Sequence, residues 1–282
     1  MIAVLPVSVP RLASLDGNWL LVFGGRPAVR TTLRNLADQI LPAWIATGEV
    51  GGFLSANAEP GQCGLAQIPL PVQSSHSELL LQTCAFDPRA LQILRSALLA
   101  QIAHRYIAAN RETAGEESNE ERRVDQLARL LGTATLALHP YPDAPIDLAT
   151  LPGADPGVEE SDYDFYPTPV LRRPFDLILA AQQGRLRRCI VDFVATIDRL
   201  LIGKLAGRIS PWVRLLELGG FEQPYDAPGM RSTAFGTVQI YDAHSVEIVI
   251  DRFDAAEGAW SVLVNLLAGF ASEYSILSVE VN

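Results

Sequence analysis

The chain has 282 residues, of which 49% are hydrophobic and 19% are charged, so it can bury one large core or two ordinary ones and is not globally disordered. Its formal net charge is −10, and residues 111–175 contribute most of the excess, with 13 acidic and 6 basic side chains. Because a nucleic-acid-binding surface needs concentrated positive charge, this balance disfavours nucleic acid as a partner.

The cysteines and the N-terminus favour a cytoplasmic location. Cys63, Cys84 and Cys189 show neither a CxxC pair nor metal-ligand spacing, which is typical of reduced thiols. The apolar N-terminus lacks the basic region of a signal peptide, and no apolar run reaches the ~18 residues of a membrane span. We therefore expect a cytoplasmic protein with no membrane contact, no metal and no cofactor.

The first part of the chain predicts the element order β-α-β-β-α-β. A short apolar strand precedes a helix whose buried face repeats every three or four residues, and a hairpin, a second helix and a last strand follow. The predicted elements are a strand at 18–24, a helix carrying Val29, Leu33, Leu36 and Ile40, strands at 65–72 and 79–86, a helix at 88–109 and a strand at 133–138.

The last part of the chain predicts the same order. A strand at 175–181 is followed by apolar residues at helical spacing, 157 positions after their counterparts in the first part. This spacing predicts a helix that carries Leu186, Ile190, Phe193 and Ile197. The remaining predicted elements are strands at 234–241 and 246–253, a helix at 255–274 and a strand at 276–281. Asp87 and Asp254 are predicted to cap the second helix of each part.

These patterns predict an α+β protein built by tandem duplication of a ferredoxin-like βαββαβ unit with antiparallel sheets. The predicted units are residues 1–140, with an extra helical insertion at 111–132, and residues 175–282. An acidic, proline-rich linker at 141–174 joins them. Whether the two sheets stack or join edge to edge is left open, and two α+β domains that share elements by accident are the alternative.

Basic side chains at two predicted strand–helix junctions suggest an anionic ligand. Arg26 and Arg30 follow one glycine-containing turn, and Arg185 and Arg187 follow the other, where a helix N-terminus would add free N–H groups. The Gly-Gly-Arg-Pro turn at 24–27 resembles the ligand-binding turn of ACT-type regulatory domains, which have the βαββαβ order. This resemblance covers one turn of the first unit only, and it does not establish membership of that family.

Two further groups of residues are candidate sites. His76 and His244 stand in equivalent hairpin turns, where paired imidazoles could line a shared cleft. An acidic and aromatic stretch in the linker could instead dock a basic protein, or it could be a solvated connector. The residues of this stretch are Glu159, Glu160, Asp162, Tyr163, Asp164 and Tyr166.

The sequence contains no nucleophile elbow, phosphate-binding loop or dinucleotide fingerprint. The favoured function is therefore a non-enzymatic binding or regulatory protein that acts through protein contact, with a partner of basic character and an unspecified oligomeric state. The alternative is a protein or enzyme that binds a small anionic ligand in a pocket between the two ferredoxin-like units.

Overall fold

A computed structural model of the chain describes residues 5, 7–8, 12–62, 64–68, 78–111, 134–141, 167–180, 186–221, 236–251 and 258–282. Within these residues the protein is a mixed α+β structure, as predicted, and it has two five-stranded sheets and four helices. Each sheet takes its strands from one half of the chain. We call the elements up to residue 140 the first unit and those from residue 176 onwards the second unit.

The first unit contains five strands and two helices. Its elements are β1 (Val7–Ser8), β2 (Leu15–Gly24), α1 (Pro27–Glu49), β3 (Leu65–Ile68), β4 (Glu78–Phe86), α2 (Ala90–Arg111) and β5 (Thr135–Pro140). The strand order in the sheet is β1-β5-β2-β4-β3, with β1 parallel to β5 and all other neighbours antiparallel. Each of the six elements predicted for the βαββαβ order of this half has a counterpart among the described residues, and β1 is an additional edge strand.

The second unit has the same number of elements. They are β6 (Asp176–Leu179), β7 (Leu186–Phe193), α3 (Arg199–Glu217), β8 (Gly236–Ile240), β9 (Ser245–Asp251), α4 (Gly258–Phe270) and β10 (Ile276–Val281). The strand order is β6-β10-β7-β9-β8, with β6 parallel to β10 and the other neighbours antiparallel. Counted from the first strand of each half, the two orders and the two sets of strand directions are therefore the same.

The prediction of a helix carrying Leu186, Ile190, Phe193 and Ile197 is wrong, because residues 186–193 form strand β7. In β7 every second residue faces the core, and Cys189, Val191 and Phe193 are buried. The spacing of the four apolar residues predicted for the helix matched that of a helix only by coincidence. The helix of this half is α3, which begins after Asp198, whose carboxylate accepts the N–H of Leu201 at 2.7 Å.

The correspondence between the two halves is consequently different from the predicted one. Strand β6, at the predicted 175–181 position, is an edge strand like β1, and β7 is the central counterpart of β2. Leu21 pairs with residues of β4 and β5, and Cys189, 168 positions later, pairs with residues of β9 and β10. The predicted offset of 157 therefore aligned the wrong strands.

Each unit ends its first helix with the same turn. Gly51 and Gly219 follow α1 and α3 with φ of 87° and 80°, a left-handed conformation that glycine adopts without strain. The next residue closes the turn in both cases, since Gly52 N–H donates to Thr47 O at 2.9 Å and Gly220 N–H donates to Leu215 O at 2.8 Å. Both helices thus end in a Gly-Gly-Phe sequence with the hydrogen bonds of a Schellman motif.

A buried tryptophan joins the two helices of each unit. Trp44 in α1 donates its indole N–H to the carbonyl of Ala90, at the start of α2, at 2.9 Å. Trp212 in α3 donates to the carbonyl of Ala259, in the first turn of α4, at 3.0 Å. These bonds satisfy a buried indole N–H and fix how the second helix leaves its hairpin.

The two units meet through their helices rather than by pairing their sheets. Helix α1 packs against α3, and each also packs against the sheet and the other helix of its own unit. The glycine turn that ends the first helix of each unit contacts the other unit. A Cβ placed on Gly52 would lie 3.1 Å from Val262 of α4, and one placed on Gly220 would lie 3.0 Å from Ile93 of α2. Each unit therefore seats its glycine turn on the second helix of the other.

The end of the predicted linker is also part of this junction. Val170 is fully buried, and its N–H donates to the side chain of Asn265 at 2.8 Å. The amide nitrogen of Asn265 in turn donates to the carbonyls of Gly52 and Leu54, each at 3.3 Å. Asn265 thus holds the linker and the first unit's glycine turn to α4. Linker residues 142–166, and the insertion predicted at 111–132 beyond Arg111, lie outside the described residues.

The glycine turns give a first prediction on stability. We expect Gly219→Ala to lower the free energy of unfolding by about 1–2 kcal/mol, because a Cβ at φ 80° is strained. Gly207→Ala is the matched control in the same helix, since a Cβ there meets nothing within 4 Å and should stabilise α3 by about 0.5–1 kcal/mol. Urea denaturation of both variants checks the opposite signs, and equal effects would contradict this account.

The Asn265 junction gives a second prediction. Replacing Asn265 by Ala leaves three buried backbone groups without their partner, so we expect a loss of about 2–4 kcal/mol of unfolding free energy. Ser96, 169 positions earlier on α2, is half-buried, and Ser96→Ala should change stability by less than about 0.5 kcal/mol. Thermal unfolding followed by circular dichroism measures both, and a similarly small change at Asn265 would contradict the assigned role.

Candidate functional site

The arginines of the first predicted junction lie at a helix start, as the sequence indicated. Arg26 occupies the N-cap position of α1, is exposed, and makes no side-chain cap. Its carbonyl accepts the N–H of Arg30, which is half-buried one turn further on, at 2.9 Å. These two residues are thus neighbours on one helical turn. Their role in binding an anion remains a prediction.

The arginine of the second junction has a different setting from the predicted one. Arg187 lies in strand β7, not at a helix start, and only 6% of it is exposed. Its guanidinium carbon lies 5.3 Å from the ring centre of Trp260 in α4, a cation–π contact. Arg187 takes the position in its strand that Trp19 takes in β2. Packing between the sheet and α4 explains this side chain without a ligand.

His244 is exposed in the turn between β8 and β9. Its backbone N–H donates to the Asp242 carboxylate at 2.7 Å, and its carbonyl accepts the N–H of Phe193 at 2.8 Å. The backbone N–H of His244 is the main cause that lowers the pKa of Asp242 below its ordinary value. The backbone of His244 therefore holds the turn together, while its imidazole faces solvent.

The structure does not bring Arg187 and His244 together. Arg187 pairs with Ile250, whereas Ser245, next to His244, pairs with Asp192 at the other end of the same two strands. Five residues of extended strand separate the two positions, about 17 Å. His76, Arg185 and the docking stretch of Glu159, Glu160, Asp162, Tyr163, Asp164 and Tyr166 lie outside the described residues.

The arrangement of possible metal ligands and the setting of Cys189 are defined in the part of the chain that the structure covers. There, no group of three or more His, Cys, Asp or Glu side chains is arranged to hold a metal ion. Cys189 is fully buried in the core, and burial raises the pKa of its thiol to about 12. A thiol in this state is not a nucleophile at neutral pH.

The outer face of the second sheet carries the main concentration of charge that the structure describes on a sheet. We call it the acidic face. Its residues alternate along the strands with the buried residues Cys189, Val191, Ile248, Val279 and Val281. The acidic face consists of Asp176 and Ile178 on β6, Ser278 and Glu280 on β10, Arg188, Ile190 and Asp192 on β7, and Glu247 on β9.

The strand register arranges these side chains in two rows. One row places Ser278 between Asp176 and Asp192, and the Ser278 hydroxyl donates to the Asp192 carboxylate at 2.5 Å. Since neighbouring strands lie about 5 Å apart, the two aspartates are about 10 Å from each other. The other row runs from Ile178 through Glu280 and Ile190 to Glu247.

One carboxylate of this face is already used within the sheet. Glu247 is buried, accepts a hydrogen bond from the Gln239 amide at 2.6 Å, and lies 3.4 Å from the Arg188 guanidinium. Asp176 is exposed and Glu280 is half-exposed, and neither forms an ion pair with another described residue. These two carboxylates therefore remain available to a partner at the β6 side of the face.

The corresponding face of the first sheet has the opposite character. Leu20 and Leu80 are directly opposite each other in the register and are each 3% exposed, and Ala137 on β5 is also buried. None of the three belongs to the main core, so they are covered on the outer side of that sheet. The central part of this face is thus apolar and buried in the first unit, although Asn18 and Gln82, which pair with each other at one end of it, are exposed, whereas the second unit carries charged side chains there.

The acidic face ends at strand β6, which is the edge of its sheet. The outer edge of β6 has no strand partner among the described residues. Two of its apolar side chains are unusually accessible, with Ile178 50% and Leu179 69% exposed. An accessible, apolar sheet edge is a common site of contact with another chain.

Sequence reasoning missed this face because it assigned β7 to a helix. A signal was present, since Asp192 and Arg188 alternate with apolar residues in β7, and Glu280 does so in β10. The Val-Gly-Gly-Phe sequence at 50–53 and the Leu-Gly-Gly-Phe sequence at 218–221 would have given the correct offset of 168. With that offset the strand and its outward-facing residues become evident.

Comparisons with known proteins do not identify the chain. No family model and no curated protein matches it. Among solved structures it is similar to the ferredoxin protease FusC, in a mutant form in complex with Arabidopsis ferredoxin, with 10% identity, 94% of this chain and 34% of that chain covered, and a TM-score of 0.21.

Two further structures give comparable values. The periplasmic protease PqqL from Escherichia coli shows 10% identity, with 91% of this chain and 34% of that chain covered and a TM-score of 0.20. Pitrilysin shows 11% identity, with 94% and 37% covered and a TM-score of 0.22. The chain spans about a third of the length of these proteins, and TM-scores of this size support no conclusion about fold or activity. Separately, none of the helices that the structure describes has the length and apolar character to cross a bilayer.

The two described cysteines give a third prediction. Cys84 is exposed and Cys189 is fully buried with a raised pKa, so iodoacetamide at pH 8 should label Cys84 in the native protein and leave Cys189 unmodified. After denaturation in urea, both should be labelled. Peptide mass mapping distinguishes the sites, and native labelling of Cys189 would contradict the buried position of β7.

Proposed function

We propose that the chain is a non-enzymatic binding or regulatory protein that acts through protein contact, and that its acidic face receives a partner of basic character. The observation that carries this proposal is the set of four carboxylates, Asp176, Asp192, Glu247 and Glu280, with the single guanidinium of Arg188 on one sheet face. Two of these carboxylates lack an ion pair with described residues and border an accessible apolar edge.

The physical argument is one of charge complementarity. Carboxylates that lie within about 10 Å of each other reinforce their potentials, and a chain of net charge −10 adds a long-range field of the same sign. Basic side chains of a partner would be steered to this surface and would be held in register by it. The sequence offers no catalytic motif that competes with this interpretation.

The alternative is a small anionic ligand, bound by basic residues in a pocket between the units. In this alternative, His76, His244 or the arginines Arg26, Arg30, Arg185 and Arg187 would line the pocket. Arg187 packs on Trp260, and about 17 Å of extended strand separates it from His244. Helices α1 and α3 pack together between the two sheets. These observations favour protein contact over a ligand pocket.

The origin of the chain is part of the same proposal. We infer that it arose by tandem duplication of a ferredoxin-like βαββαβ unit, to which each half adds one parallel edge strand. The shared strand order, the equivalent tryptophan bonds and the Gly-Gly-Phe turns support this inference. After duplication the centre of one outer face stayed apolar, while the other outer face became charged. A cytoplasmic location, the absence of nucleic acid and a contribution of the 159–166 stretch to docking belong to the proposal as well.

The fourth prediction tests the acidic face with a defined basic probe. A fluorescein-labelled peptide of six lysines alternating with six valines should bind the full chain, as measured by anisotropy at 50 mM salt. The double variant Asp176→Lys, Glu280→Lys should weaken binding about tenfold, because it reverses two unpaired charges. Raising the salt concentration to 500 mM should weaken binding to the unaltered chain and remove most of this difference.

The control variant changes the net charge equally at another surface. Asp38 and Glu49 are exposed on α1 of the first unit, and Asp38→Lys, Glu49→Lys should reduce binding less than about threefold. Equal losses in the two double variants would show that only overall charge matters. That result, or no measurable binding at low salt, would overturn the acidic face as the docking site.

A further inference from the structure

We propose that the partner of the acidic face is an extended segment with alternating basic and apolar residues, which adds to the second sheet as a strand beside β6. This inference rests on the proposed function and specifies its partner. It is drawn from three features of β6: its free backbone groups, the chemistry of its side chains, and the carboxylates beside it.

The free backbone groups of β6 follow from its pairing with β10. Ala180 N–H donates to Val281 O at 2.9 Å, and the parallel register pairs Leu177 with Val279 and Leu179 with Val281. In a parallel pair, alternate residues of a strand direct both their N–H and their C=O to the same neighbour. Ile178 and Ala180 therefore face β10, and Leu177 and Leu179 direct their N–H and C=O to the open edge.

These outward-facing groups define a short template for another strand. Two residues whose N–H and C=O groups have no backbone partner among the described residues, within a four-residue strand, match the strand-addition mode by which sheet edges capture extended peptides. The main chain supplies hydrogen bonds that do not depend on the partner's sequence. Selectivity then comes from the side chains on the two faces of the added strand.

The side chains of β6 specify a different chemistry on each face. On the inner face Leu177 packs against the core and Leu179 is 69% exposed, so an added strand would place apolar residues beside them. On the outer face Asp176 and Ile178 stand beside the Ser278 and Glu280 positions of β10. A lysine there can cover Ile178 with its aliphatic stem and reach a carboxylate with its ammonium group. A segment that alternates between valine-like and lysine-like residues satisfies both faces.

A second copy of this chain fits the edge less well than a basic partner does. Pairing β6 with another β6 would bring a second Asp176 to the same edge, with a second Glu280 one strand further in, and like charges across a sheet are destabilising. Acidic side chains at an edge are a known way of preventing self-association of sheets. The occupant is therefore a different protein with positive charge along an extended segment.

The experiment uses the full chain and the alternating lysine–valine peptide, with a block peptide of six valines followed by six lysines as the composition control. The alternating peptide should bind at least about tenfold more tightly, because only it can present one chemistry to each face of the sheet. Leu179→Pro removes an outward N–H without removing a hydrogen bond to β10, and it should weaken binding about tenfold. Leu179→Ala keeps that N–H and should weaken binding less than about threefold.

Amide hydrogen exchange measured by NMR tests whether the peptide pairs with the outward-facing backbone groups of β6. On binding the alternating peptide, the Leu177 and Leu179 amides should gain protection at least about tenfold, while the Ile178 amide, already bonded to β10, should change little. Unaltered exchange at Leu177 and Leu179 would overturn strand addition. Circular dichroism spectra and melting temperatures of the two Leu179 variants confirm that a loss of binding is not a loss of fold.

The outcomes separate this inference from the function on which it rests. If the Asp176→Lys, Glu280→Lys variant loses binding but Leu179→Pro does not, the acidic face is the docking site and strand addition is wrong. If neither variant changes binding, both proposals are wrong. The last measurement is sedimentation of the chain without peptide. A dimer that Leu179→Pro dissociates would show that the strand added beside β6 comes from a second copy of this chain and not from a basic protein.

Discussion

The contact on which the rest of the structure depends is the packing of each unit's glycine turn against the second helix of the other unit. Each turn has no side chain at its second glycine, and this allows Gly52 to lie against Val262 and Gly220 against Ile93. A side chain at either position would push the helices apart, since a Cβ would already be as near as 3.1 Å and 3.0 Å to them. This close approach of the turns accompanies the contact between helices α1 and α3.

This central packing determines which surfaces are left for function. With the helices of both units enclosed between the sheets, each sheet exposes its outer face and its edges. The first unit buries the apolar centre of that face around Leu20 and Leu80, whereas the second presents carboxylates and an accessible edge at β6. The two units of this shared architecture therefore differ in the surfaces that they expose. The buried Arg187, stacked on Trp260, shows that a charge in this fold can equally be a packing element.

The sequence was sufficient for those elements whose local pattern had only one interpretation. The face formed by Val29, Leu33, Leu36 and Ile40 is buried in α1, and the predicted bounds 276–281 match β10, although a register shift near Ile276 interrupts its alternation. The hairpins were also found, because turn residues separate their two apolar strands. For the candidate site, the sequence predicted an acidic protein with a partner of basic character. It did not predict which sheet face carries the charge. Residues 186–197 misled the prediction because four apolar residues at helical spacing coincided with a strand of period two.

By itself the sequence determined the class of the protein, the alternation of strands and helices, and the excess of negative charge, because these depend on composition and on contacts between near neighbours. Only the tertiary structure decided which strands are central, since β7 becomes the counterpart of β2 through pairing with β9 and β10, far away in the chain. It also decided which carboxylates share a surface, because Asp176, Asp192 and Glu280 meet only when three separate strands are in register. A side chain's neighbours along the chain are fixed by the covalent order, but its neighbours across a sheet are fixed by the fold.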